Sequence, residues 1–157
     1  MERDLTVEEE VAAKLEDFVK DYDLLVKDYN HFLTVASGSK SPYLEWETKF
    51  NNLHHKLTKI IPFIFRYKIK HDDRELSALR ARITISTFGV GPDLEKSWQR
   101  ADTKASASEE YAKALEARAF WEESYLSMRK IEDNISNFLT EITHKIKTYE
   151  RSQIIDG

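Results

Sequence analysis

A chain of 157 residues fits one domain, and its 41% apolar content is enough to build a core. Four Gly and three Pro leave little material for the turns of a β-rich fold, and the absence of Cys excludes disulfides and thiolate metal sites. The net charge of −4 is unevenly spread: residues 1–30 hold ten acids against four cations, whereas Lys49 to Arg82 hold nine cations against three acids.

The first element opens at Thr6, whose T-x-x-E pattern with Glu9 is a capping box. Val11, Leu15, Phe18, Tyr22, Leu25, Tyr29 and Phe32 follow at alternating steps of four and three, which predicts an acidic helix over about 7–36 that stops at Ser37-Gly38-Ser39. The second element opens at Ser41-Pro42, with Ser as cap and Pro at the first helical position. Tyr43, Trp46, Phe50, Leu53, Leu57, Ile60, Ile64 and Tyr67 form one apolar stripe, and Leu76, Leu79 and Ile83 keep helical spacing beyond it. This predicts a basic helix to about Ile83, with Pro62 expected to kink or break it.

Ile83 to Phe88 alternates apolar and polar residues, the pattern of a short strand. A turn over Gly89 to Asp93 follows, with Asp93 expected to cap a short helix carrying Trp98, and Ala105 to Ser108 expected as a hinge or cap. The last helix is predicted from Ser108 to Arg151, on a stripe of Trp121, Tyr125, Met128, Ile131, Ile135, Phe138, Ile142, Ile146 and Tyr149. Leu115, Leu126 and Leu139 lie off that stripe, so the helix needs more than one neighbour. Helices of 30 or more residues are ~45 Å long and bury their stripes poorly in one globule. Self-association is therefore expected, with Trp121, Tyr125, Leu126, Ile135, Phe138, Leu139 and Ile142 as oligomerisation positions. The expected fold class is all-α: an elongated helical hairpin or bundle with one candidate β segment at 83–88. It divides into an acidic region 1–37, a basic region 41–92 and C-terminal helices 93–157, which make one cooperative domain.

Sites for chemistry are few. There is no phosphate-cradling Gly loop and no G-x-S-x-G elbow. His54 and His55 are adjacent, so on a helix they point about 100° apart and cannot share a metal. Glu141-x-x-His144 is half of a di-iron helix motif, and no second E-x-x-H exists. No enzyme activity, metal or cofactor is expected. The N-terminus lacks the apolar stretch of a signal peptide, and no run approaches the ~20 residues of a membrane span.

The basic cluster is the candidate functional feature. Arg66, Lys68, Lys70, Arg74, Arg80 and Arg82 are interleaved with Phe65, Tyr67 and, farther on, Phe88. Cations for phosphates with aromatics for bases is the chemistry of sequence-tolerant single-strand binding. The bland alternative is that the basic helix pairs with the acidic first helix, within one chain or between subunits, in a helical adaptor or structural coiled-coil protein.

Leu76-Ser77-Ala78-Leu79-Arg80-Ala81-Arg82-Ile83 resembles the basic A-L-[KR]-A-R-hydrophobic segment of UvsY-type recombination mediators of tailed bacteriophages. The layout around it is similar: Tyr43-Leu44-Glu45-Trp46 opening the helix, a Gly-containing loop, Glu95-Lys96-Ser97, then a long helix with Phe120-Trp121 in an early turn. The resemblance covers roughly Tyr43 to the C-terminus. It implies a homo-oligomer that binds single-stranded DNA and loads a RecA-type recombinase onto DNA coated with single-strand-binding protein. Arg80 and Arg82 would contact DNA, supported by Lys68, Lys70 and Arg74, and the last helix would assemble the ring. It also implies the cytoplasm of a bacterial host. The chain departs from the family in having Thr84-Ile85-Ser86-Thr87 where aromatics usually follow the basic segment, with Phe88 alone remaining, and in a longer acidic first helix.

Overall fold

The computed structural model describes residues 6–35 and 40–156. The expected stop at Ser37-Gly38-Ser39 lies outside the described residues, as does the side chain of the expected cap Ser41. The architecture is all-α: α1 (Val7–Val35), α2 (Ser41–Lys70), α3 (Asp73–Thr87), α4 (Trp98–Ser106) and α5 (Glu109–Asp156). No strand occurs among the described residues. Two compact units are formed: the first by residues up to Ile60 with those from Met128 onward, the second by Ile61–Ser127.

In the first unit the heptad stripes meet as read. Thr6 caps α1, its hydroxyl accepting the Glu9 N–H at 3.2 Å. Val11, Leu15, Phe18, Tyr22 and Tyr29 of α1 are buried with Tyr43, Phe50, Leu53 and Leu57 of α2 and Met128, Ile131, Ile135, Ile142 and Ile146 of α5. The three helices share one aromatic cluster. The Tyr29 ring stands edge-on to Trp46 and Phe50 at 5.4 Å and to Phe138 at 5.7 Å, and Phe50 stacks on Phe138 at 5.0 Å. The Tyr29 hydroxyl is buried there without a hydrogen-bond partner. Burial, then the Glu141 charge, then Tyr43 push its pKa up to about 12.

The second unit corrects the sequence reading in three places. Pro62 lies inside α2 with its ring exposed, and the helix continues to Lys70. The break comes at His71, because Asp72 caps a new helix by accepting the Glu75 N–H at 3.0 Å. The candidate strand at 83–88 is instead the last turn of α3: Ser86 and Thr87 hydroxyls donate back to the Ile83 carbonyl, satisfying it in place of a sheet partner. Ser97, not Asp93, caps α4, accepting the Arg100 N–H at 3.4 Å. The small residues at 105–108 end α4, and the Ser108 hydroxyl accepts the Tyr111 N–H at 3.2 Å to start α5. Ala101 and Ala105 are fully buried, which lets α4 approach α3 closely.

Candidate nucleic-acid interface

The basic run is folded at the turn between α2 and α3. The His71 ring stacks on Trp121 with centroids 6.3 Å apart. Its Nδ1 lies 2.8 Å from the Tyr67 carbonyl oxygen, to which it donates. Tyr67 stacks on the other member of this group, Trp121, at 4.6 Å and 19°. Tyr67 is thus part of the packing under the basic face rather than a platform on it. Lys70, His71, Glu75 and Arg82 give the polar lining of a cavity of about 140 Å³ beside this turn.

The six predicted cations divide into five and one. Arg66, Lys70, Arg74 and Arg82 are exposed, and Lys68 is half-buried. None of these five makes an ion pair among the described residues. Lys68 and Lys70 lay their ammonium groups 5.3 Å and 5.1 Å from the rings of Tyr125 and Tyr67, which steadies the side chains. Arg80 is different. It grips Asp102 of α4 through two parallel hydrogen bonds, Nε to Oδ1 at 2.9 Å and Nη2 to Oδ2 at 2.7 Å. The buried Thr84 hydroxyl donates to the Arg80 carbonyl and lies 3.4 Å from the same Asp102 Oδ1. The Arg80 hydrogen bonds hold the Asp102 carboxyl below the usual range, against desolvation, and Asp102 raises Arg80 in return. The fork geometry suits a structural clamp between α3 and α4.

The α1 acids Glu10, Asp17, Asp21, Asp23 and Asp28 make no ion pair with the basic helix among the described residues, and Glu16 pairs along its own helix with Lys20. His54 and His55 stand apart from any cluster of metal-binding groups, of which the described residues hold none.

The expected oligomerisation positions are largely used within the chain. Trp121, Ile135 and Ile142 are fully buried, Phe138 stacks on Phe50, and Tyr125 packs on Phe65 at 5.6 Å. Leu139 is half-buried, and Leu126 remains 59% exposed. The main stripe of α5 packs within the chain, while the off-stripe Leu115 and Leu126 stay exposed.

The sequence reading missed one juxtaposition. Phe88 and Trp98, separated by a Gly-rich loop, come together as an edge-to-face pair at 5.5 Å, and both are exposed, at 42% and 52%. The loop is held by two backbone hydrogen bonds, Gly89 N–H to the Glu95 carbonyl at 2.9 Å and Glu95 N–H to the Thr87 carbonyl at 2.8 Å. Leu94 folds over Gly89 so closely that a Cβ there would sit 2.6 Å from its Cδ1. The two glycines between Phe88 and Pro92 were the available signal that the chain turns back at this point. Comparison with family models, with curated proteins and with solved structures gives no match.

Proposed function

We propose that the chain is a non-catalytic helical protein that binds single-stranded DNA through the basic face of α2 and α3. The observation that carries this reading is the set of five cations, Arg66, Lys68, Lys70, Arg74 and Arg82, left without carboxylate partners on consecutive helices of an acidic protein. Uncompensated cations release counterions from phosphates and attract any nucleic acid strand. Service to a RecA-type recombinase, as a mediator on DNA covered by single-strand-binding protein, is supported by the resemblance of Leu76–Ile83 and its surroundings alone. Self-association would multiply weak phosphate contacts into useful avidity. Among the described residues of α5, the exposed Leu115 and Leu126 are large apolar side chains available for it.

The test is anisotropy of a labelled single-stranded oligonucleotide at several salt concentrations. Binding should weaken with a log–log slope of about −0.7 per phosphate neutralised. Lys70→Ala with Arg82→Ala should weaken binding across all sequences and flatten the slope. Absence of salt-dependent binding by the unaltered chain would remove the reading and favour the adaptor alternative.

A further inference from the structure

We infer that the Phe88–Trp98 pair is a base-stacking platform, so that this face prefers unpaired strands to duplex. The inference rests on the reading that the neighbouring cations hold phosphates. Three observations support it. The two rings are exposed, yet they are held in a fixed mutual geometry by a hydrogen-bonded loop, which is unlike apolar residues exposed by a frayed end. They also follow the basic cavity closely in sequence: Arg82, which lines it, and Ile85 lie on α3, Phe88 stands at its C-cap, and all three are exposed. Finally, Lys96 and Arg100 stand two residues before and after Trp98 and are exposed.

That setting selects the occupant. An apolar protein segment would want the aliphatic surface of Ile85, Val90 and Leu94 without the flanking charge. A single strand uses the rings for its bases and the cations for its phosphates, and a duplex hides the base faces inside its stack.

The unaltered chain and the variants Trp98→Leu, Phe88→Leu and Trp98→Tyr are titrated with oligothymidylate, with a duplex and with an abasic oligonucleotide of equal length. Intrinsic fluorescence and anisotropy are read together. Trp121 is buried and Trp46 half-buried, so quenching that disappears in Trp98→Leu reports stacking on Trp98. Oligothymidylate should quench the unaltered chain, and the abasic strand should bind without quenching. Trp98→Leu should weaken oligothymidylate binding roughly 5- to 100-fold, leave abasic binding unchanged, and keep the salt slope. Trp98→Tyr should restore most of the affinity. Equal oligothymidylate affinity in Trp98→Leu, with salt-dependent binding intact, would overturn the platform while leaving the basic face standing. Loss of apparent mass in Trp98→Leu without any change in DNA affinity would also overturn it, marking the pair as a protein contact. No salt-dependent binding by the unaltered chain would overturn both readings.

Discussion

Arg80 and Arg82 are separated by one alanine and read alike in sequence, but among the described residues only Arg80 of the two is held in an ion pair. Arg80→Ala should lower the melting temperature, because it unpicks the clamp on Asp102 and strands a carboxylate beside Thr84. Arg82→Ala should leave melting unchanged and weaken DNA binding. A thermal melt and an anisotropy titration on each single variant separate the two roles, and the reverse pattern would sink the assignment. The clamp also has a pH dependence. The folded Asp102 carboxyl titrates below its unfolded value, so the stabilisation is present above about pH 4 and is lost as pH falls through the folded value. Asp102→Asn should flatten that acid limb of the melting profile. At Tyr29 the shift runs the other way. Its folded pKa is raised to about 12, so the folded state holds the phenolic proton and loses stability as pH climbs from about 10 towards 12. Because the hydroxyl is buried and unpartnered, Tyr29→Phe should stabilise by about 1 kcal/mol and remove that alkaline loss, measured by urea unfolding at pH 8 and pH 11.

At the scale of elements, the heptad stripes were legible because burial on one helix face writes itself into residue spacing. Tyr43, Phe50, Leu53, Leu57 and Ile64 are all buried as their spacing implies, whereas Ile61 is buried more fully than Ile60. The end of α2 was misplaced because a proline is the loudest local signal and a cap is a quiet one. Asp72-x-x-Glu75 is the same cap-and-acid pattern that marked Thr6, set in a charged run where it is easily passed over. The alternation from Ile83 to Phe88 read as a strand because β-branched residues were taken at their propensity, while hydroxyl-to-carbonyl hydrogen bonds kept them helical. The turn between Phe88 and Trp98 was legible from Gly89 and Gly91, but the meeting of the two rings was not, since it depends on how the loop closes. Pro62 offers a clean test of helix continuity. An interior proline costs ~3 kcal/mol, partly offset by the stiffness it gives the unfolded chain, so Pro62→Ala should stabilise by about 2 kcal/mol. The midpoint of urea unfolding should rise with an unchanged slope. A fall would mean that the proline is required where it stands.

At the scale of the whole molecule, self-association was inferred from stripes that seemed too many for one chain to bury. The stripes are in fact shared among α1, α2 and α5, and among the described residues Leu115 and Leu126 are the exposed large apolar side chains of α5. Truncation after Asn137 is therefore expected to act on folding before assembly. It removes Phe138, Ile142 and Ile146, which pack in the first unit's core, and spares the Arg80–Asp102 clamp of the second. Circular dichroism should lose signal beyond the deleted residues, because α1 forfeits its partner. Sedimentation with Leu126→Glu addresses assembly separately, and an unchanged mass in both proteins would remove self-association through α5.

The two units differ in how the chain supplies them. The second is one unbroken stretch, Ile61–Ser127, while the first joins residues up to Ile60 to residues from Met128 onward. A nascent chain growing at ~5–20 residues per second has all of Ile61–Ser127 before it has Met128. The Tyr29 ring of α1 can therefore meet Trp46 and Phe50 of α2 early, but it meets Phe138 of α5 only after the whole intervening unit has been made, and the first unit closes the longer loop.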